Sequence, residues 1–399
     1  MKKIGVGWAS VTELEKRYVN EALDSSRLSP SKYVLRFERE FAQRHGKRYG
    51  IMCNSGTSAL HIALETLKEM EGWKNDSEVI VPALTFISSA NSVLHAGLTP
   101  VFADVDEKTY NLDPTQLERH LSPRTRAIMP VHCFGLPCEM DAIADFAARN
   151  GLKIIEDCSD AHFAEYKGRM VGSWGDLSAF STYVAHTIMT GVGGVTITDN
   201  ERYAEILRSL IAHGRSCTCE VCVAADSDAV CKKRMEGETT LDRRFCFDRL
   251  GYSYRVGELE GALGLAQLER ADEIMEIRRN NARCLNELLS PYQAYLQLPI
   301  YGEDYNHTFM MYPILIMGNS FTRKEICDFL ENRNIETRPM FPLLNQPIYR
   351  KLYGNLEDSY PVAKNVSRKG FYIGCHHGLG VNELEYIAEV MKEFFAGLR

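Results

Sequence analysis

The chain lacks any run of about 18 apolar residues, the length that a membrane-crossing helix requires. Its opening stretch, MKKIGVGWASVTELEKRYVN, has two lysines but no continuous apolar segment before charge returns at Glu13, so it does not read as a signal peptide. Positive charge is not in excess either: 46 Lys and Arg face 53 Asp and Glu, a formal net charge of -7. That balance argues against a general role on nucleic acid or at a membrane surface, while leaving room for a local phosphate site. Internal repeats and low-complexity tails are also missing. These absences together lead us to expect a folded, cytoplasmic protein.

What is present is ordinary in bulk, with 45% hydrophobic and 25% charged residues. The 399 residues suffice for two domains sharing a substantial core. Short apolar runs at 79–83, 100–105, 127–131, 153–156, 177–182 and 194–198 read as strands. Amphipathic stretches lie between several of them, such as 58–70, where Leu60, Ala63, Leu64 and Leu67 recur at helical spacing. The alternation predicts an α/β domain with a mostly parallel sheet. The segment 216–240 has no clean period, 257–289 reads as one long helix, and a smaller α/β segment completes the chain. The expected division is a large domain over 1–256 and a small C-terminal domain, with its linking helix, over 257–399.

Two motifs point to an anionic, heterocyclic ligand. Asn54-Ser55-Gly56-Thr57-Ser58-Ala59 follows an apolar segment and opens a helix, where backbone N–H groups and the helix dipole suit a phosphate. The same residues would equally make a well-capped helix start. Ile154-Ile155-Glu156-Asp157 is an apolar strand ending in two acids, and a carboxylate at the C-terminal edge of a parallel sheet can pair with a protonated ring nitrogen. It could also simply cap the next helix.

Cysteine is abundant, at twelve. Eight are scattered and read as free thiols of a reducing compartment. Cys217, Cys219, Cys222 and Cys231 fall together as C-x-C-x2-C-x8-C and could give four thiolates to one centre. By spacing alone, structural zinc and an iron–sulfur cluster are both open, and so is a loop of unrelated thiols.

Further on stand Gly172-Ser173-Trp174-Gly175-Asp176 and Ala179-Phe180-Ser181-Thr182-Tyr183-Val184-Ala185-His186. With the Asn54–Ala59 loop, Val81-Pro82-Ala83-Leu84-Thr85-Phe86, Glu156-Asp157, Leu250-Gly251-Tyr252-Ser253-Tyr254-Arg255 and Glu336-Thr337-Arg338-Pro339, they resemble the DegT-type nucleotide-sugar aminotransferases in order and over almost the whole chain. The resemblance implies a fold type I pyridoxal-phosphate enzyme, with a large domain built on a mostly parallel, seven-stranded-type sheet. It implies that Gly56, Thr57 and Ser181 hold the cofactor phosphate, Phe86 stacks on the ring, Asp157 pairs with the ring nitrogen, and Asp160 lies near the ring oxygen. Ser253 stands where the neighbouring subunit of a homodimer usually supplies an asparagine, and Val192 where the family has an acid.

The family's cofactor-tethering lysine is His186 here. An imidazole cannot form a Schiff base but can move a proton near neutral pH. The cofactor would then serve as pyridoxamine phosphate, offering its own amine to a keto sugar, and the outcome would be loss of a hydroxyl. The substitution resembles the branch of 4-keto-6-deoxy-sugar 3-dehydratases; the alternative is a non-catalytic homologue, sensing cofactor or sugar, whose histidine only fills the lysine's space. The segment 214–234 is similar to the cluster loop of the CDP-6-deoxy-hexulose 3-dehydrase branch. This implies a [2Fe–2S] centre on Cys217, Cys219, Cys222 and Cys231, fed by a reductase or ferredoxin, with zinc in a cluster-independent enzyme as the alternative. Cys246 is a possible substitute for Cys231, and Cys158 matches a further cysteine of that branch. The substrate implied is a nucleotide-linked 4-keto-6-deoxyhexose. Arg338 could meet its diphosphate or make a domain-interface ion pair. His213 and Arg215 flank the cysteine loop, and Ser29–Tyr33 reads as a substrate segment or a plain turn. Cys375, His376 and His377 could form a metal site, but sugar-pocket or surface positions suit them better.

Overall fold

The computed structural model describes residues 3–217, 219, 231 and 242–398. The large sheet begins with β1 (Tyr49–Cys53), β2 (Glu78–Pro82), β3 (Thr99–Ala103), β4 (Thr125–Ile128) and β5 (Lys153–Asp157). A short hairpin of β6 (Glu165–Tyr166) and β7 (Arg169–Met170) follows, and then β8 (Leu177–Ser181) and β9 (Gly194–Thr198). Among the described residues the sheet has seven strands in the order β1-β9-β8-β5-β4-β2-β3. Pairings β2/β3, β2/β4, β4/β5 and β5/β8 are parallel, and only β9 runs against its neighbours β1 and β8. Strands such as β2, sequence EVIVP, are buried along their whole length, which is why they read as continuous apolar runs rather than alternating ones. Helices Gly56–Glu71 and Glu201–Ile211 supply Leu60, Leu64, Leu67, Ile206 and Leu207 to the core against this sheet.

Beyond it, β10 (Leu296–Gln297), β12 (Tyr312–Ile316), β13 (Arg338–Pro339) and β14 (Gly370–Ile373) form a second, antiparallel sheet in the order β10-β12-β14-β13. Its core joins Ile314, Ile316, Phe371 and Ile373 to Ile387 and Met391 of the helix Val381–Ala396. A third small sheet pairs β11 (Tyr305–Asn306) with β6. No helix among the described residues is long and apolar enough to cross a membrane.

Three details differ from expectation. The stretch 257–289 is two helices, Glu258–Glu269 and Ala271–Leu289, because Arg270 leaves helical geometry at φ -104° and ψ 7°. Its guanidinium reaches the wholly buried Glu15 at 3.1 Å, a tertiary contact that the unbroken apolar pattern does not announce. Strands β3 and β4 stop at Ala103 and Ile128, short of the apolar runs that continue past them. The segment before Asn54 is itself a strand, β1, although it contains Gly50. A Cβ on Gly50 would lie 2.3 Å from the Glu38 carbonyl oxygen, so glycine is what lets the helix Lys32–Arg44 press on that strand. The irregular segment 216–240 lies mostly outside the described residues. Its flanks form a narrow ladder, with isolated bridges Ala212–Ser253 and Arg215–Phe247.

Candidate active site

Parallel strands carry ligand sites at their C-terminal ends, and here those ends surround a cavity of about 420 Å³. At one end of the cavity begins the helix Gly56–Glu71. Ser55 caps it, accepting a hydrogen bond from the Ser58 N–H at 3.1 Å, while the Ser58 hydroxyl donates to Asn54 Oδ1 at 2.7 Å. The cap leaves room for an anion: it uses the Ser58 amide, and the first-turn amides of Gly56 and Thr57 have no acceptor within the helix. Ser181, at the end of β8, packs directly against Gly56, where a Cβ would come within 2.6 Å of the serine Cβ.

Asp157 ends β5 and is buried. Its carboxylate accepts from the Ser89 hydroxyl at 2.8 Å and from the Ser159 hydroxyl at 2.7 Å. Its neighbour Glu156 points to the opposite face, where His132, the amides of Gly172 and Gly175, and the Ser178 hydroxyl surround it. The paired acids thus divide their work, one facing the cavity and one bracing the strand. Phe86 opens the helix Ile87–His95 and presents a ring that is 61% exposed at the cavity wall.

His186 sits in the turn that follows β8. The base of that turn is tied by the Thr182–Thr190 hydroxyl contact at 2.7 Å and by the Val184 N–H donating to the Gly191 carbonyl. Burial, with the nearby charge of Arg278, pushes its imidazole down to about 4. Asp160 lies beside it, Oδ1 3.8 Å from His186 Nδ1. Burial and the charge of Asp157 push the Asp160 carboxyl up to about 7. Among the described residues no lysine lines the cavity. Met310, Met311, Phe341 and Tyr372 close the far wall, brought there by the C-terminal part of the chain. No local pattern in the sequence marks these four, nor Ser89 as a support for Asp157.

Residues 9–392 match the DegT/DnrJ/EryC1/StrS aminotransferase family. The chain belongs to this family. It is 34% identical over 398 residues to GDP-perosamine synthase of Escherichia coli O157:H7, covering 99% of this chain and 100% of the relative. To dTDP-4-dehydro-2,6-dideoxy-D-glucose 3-dehydratase of Saccharopolyspora spinosa it is 34% identical over 388 residues, covering 94% and 83%. Among solved structures it is similar to Helicobacter pylori PseC, an aminotransferase of pseudoaminic acid biosynthesis, with a TM-score of 0.87, 26% identity, and coverage of 99% and 100%.

For a DegT-family protein the donor set fits pyridoxal or pyridoxamine phosphate. It has first-turn amides with a facing serine, a buried carboxylate, an exposed aromatic face, and a buried His186 Nδ1 with no hydrogen-bond partner in the protein. Val192 stands at the same cavity, and nothing in the structure explains the valine. Ser253 is exposed and does not line its own chain's cavity.

The cysteines divide. Cys217 and Cys219 bring their sulfurs to 3.8 Å. Cys222 lies outside the described residues, and Cys231 and Cys246 are both partly exposed. Cys158 is buried near His132 and Glu156, whose ligand atoms are already engaged in hydrogen bonds. Arg338 is exposed and ion-paired with Glu336. His213 meets Arg255 at 3.2 Å, and the Ser31 amide donates to Glu258 at 2.7 Å. His376 bonds the Gly5 carbonyl at 3.1 Å and stacks on Trp8, while Cys375 contacts the Arg278 carbonyl at 3.5 Å, so these two serve packing.

Proposed function

We propose that this protein is a pyridoxamine-phosphate-dependent 3-dehydrase acting on a nucleotide-linked 4-keto-6-deoxyhexose, with a [2Fe–2S] centre on Cys217, Cys219, Cys222 and Cys231. The observation that carries the reading is His186, a buried imidazole pushed below its ordinary value in a cavity that no lysine lines among the described residues. When bound, the cofactor supplies an amine for the sugar ketone and a ring that takes up electron density. Gly56, Thr57 and Ser181 would hold its phosphate, Phe86 would cover one ring face, and Asp157 would keep the ring nitrogen protonated. His186 would take and return a proton, which a tethering lysine in the same place would do only after release from the cofactor. The apolar wall of Met310, Met311 and Phe341 would keep water from the reacting carbon.

Two thiolates bound tetrahedrally at about 2.3 Å to one metal ion sit about 3.8 Å apart, which supports a shared ion at Cys217 and Cys219. Reduction would draw electrons from a reductase or ferredoxin. The exposed position of Ser253 suits a homodimer in which it meets the partner's phosphate site. The same sulfur spacing suits zinc, and so a cluster-independent dehydratase that needs an amino donor such as glutamate.

Protein purified anaerobically is expected to be brown, to contain iron and sulfide, and to give an EPR signal after dithionite reduction. Zinc without iron would remove the redox half of the reading. His186→Asn should bind the cofactor yet release no 3-deoxy product; continued dehydration by that variant would remove His186 from the reaction.

A further inference from the structure

Two acid–base side chains face one another on the cavity floor. His186 and Asp160 are only 14% and 12% exposed, with Nδ1 of the imidazole 3.8 Å from Oδ1 of the carboxyl group. Nδ1 is buried and has no hydrogen-bond partner in the protein. The gap is too long for a hydrogen bond, yet a turn of the imidazole by less than about 1 Å would close it.

Asp160 is held in place for that contact. Its Oδ2 accepts the Phe134 N–H at 3.1 Å. Phe134 is at φ 59° and ψ 8°, in the left-handed region that bulky side chains avoid. Its ring lies flat on Phe341, centroids 4.9 Å apart, which helps hold that backbone where it is. Strain is thus kept at the point where one amide is aimed at Asp160.

Charges around the pair favour one location for a single proton. Asp157, Cys133 and Tyr372 surround Asp160, and Asp157 disfavours a second carboxylate there. His162 and Arg278 face His186. Arg278 is wholly buried, and its guanidinium donates to the carbonyls of Phe309 and Met310. Its positive charge disfavours an imidazolium.

We infer that Asp160 is the proton store for His186, receiving at Oδ1 the proton that the imidazole takes up. This rests on the reading of His186 as the proton-moving group. The C–H bond that breaks leaves its electron pair on the carbon. An N–H bond forms on His186, then breaks as an O–H bond forms on Asp160, and no electrons pass between the residues. The imidazole returns to its neutral form, and the neutral carboxyl can later give the proton to the departing hydroxide as water.

The test uses histidine-labelled, cofactor-free protein and follows imidazole nitrogen resonances with pH, with His186→Asn assigning the signal. In the unsubstituted protein the His186 signal should show a step near pH 7, where Asp160 titrates. Asp160→Asn should abolish that step and Asp160→Glu should restore it. An identical His186 profile in the unsubstituted protein and Asp160→Asn would overturn the pairing. In enzyme saturated with cofactor and sugar, Asp160→Asn should slow single-turnover proton removal at least about tenfold; an unchanged rate would overturn the relay. The nitrogen step needs no turnover, so it would survive even if the protein dehydrated no sugar.

Discussion

Substituting alanine at Gly56 tests the proposed phosphate cup at its tightest point. The added Cβ would lie 2.6 Å from Ser181 Cβ and 3.1 Å from both Ser181 Cα and Oγ. Carbon atoms rest about 3.5–4.0 Å apart, so the overlap is close to 1 Å, and both carbons are anchored to backbone. The helix start and the end of β8 must then separate. Overpacking of this kind costs about 1–3 kcal/mol, and alanine's better helix propensity offsets at most about 1 kcal/mol. The larger effect should fall on binding. Moving the Gly56 and Thr57 amides away from the Ser181 hydroxyl loses at least one charge-assisted hydrogen bond to phosphate, worth about 1.5–3 kcal/mol. That corresponds to a dissociation constant about 10- to 150-fold weaker. Fluorescence titration of cofactor-free protein with pyridoxamine phosphate measures it, and urea unfolding measures the stability change. In the double variant Gly56→Ala/Ser181→Gly the clash is largely removed, so stability should recover by about 1 kcal/mol beyond additivity, while affinity stays low because the hydroxyl is gone. Wild-type affinity and stability in Gly56→Ala would refute the argument.

Glu156 and two histidines give further tests. Burial opposes charge on Glu156, yet the hydrogen bond and charge of His132, with the Gly175 and Gly172 amides, hold its carboxyl below the usual range. Glutamine keeps only one of the two acceptor oxygens that the buried Gly172 and Gly175 amides use, so Glu156→Gln should cost about 1–3 kcal/mol at neutral pH. The contribution is present above the ordinary carboxylate value and lost as pH falls through the lowered folded value, so the variant should show a flatter acid limb in urea-midpoint measurements. His45 and His307 are wholly buried, and burial pushes them down to about 4 and about 3. The unfolded chain protonates these rings first, so the stability is complete above about pH 6.5 and declines towards the folded values. Each should remove about 1 kcal/mol between pH 7.5 and 5.5. A urea midpoint unchanged over that interval would show that the rings protonate without unfolding.

Much of the large domain is legible along the chain. Strands β2, β5, β8 and β9 coincide closely with apolar runs because a sheet covered on both faces writes itself as continuous hydrophobic sequence. The Asn54–Ala59 loop and the Glu156-Asp157 pair are local, so residue type and neighbours suffice to pick them out. The break at Arg270 is not local: it depends on Glu15, a residue from the far end of the chain that no periodicity links to it. The cysteine spacing can be read directly, but which atoms share a centre depends on how that loop folds.

The far wall is the clearest case. Met310, Met311, Phe341 and Tyr372 are scattered apolar residues, and only the docking of the C-terminal sheet turns them towards the cavity. The strained backbone of Phe134 is equally silent in sequence, since φ is set by what the residue packs against. By itself the sequence determined the α/β alternation, the Asn54–Ala59 loop that opens a helix, the acid at the end of β5, and a histidine where the family has lysine, because each is a matter of residue type at short range. Only the tertiary structure decided that Asp157 faces the cavity while Glu156 turns away, and that Asp160 rather than another acid stands beside His186. Which side of a strand is ligand and which is core depends on what the remote parts of the chain bring against it.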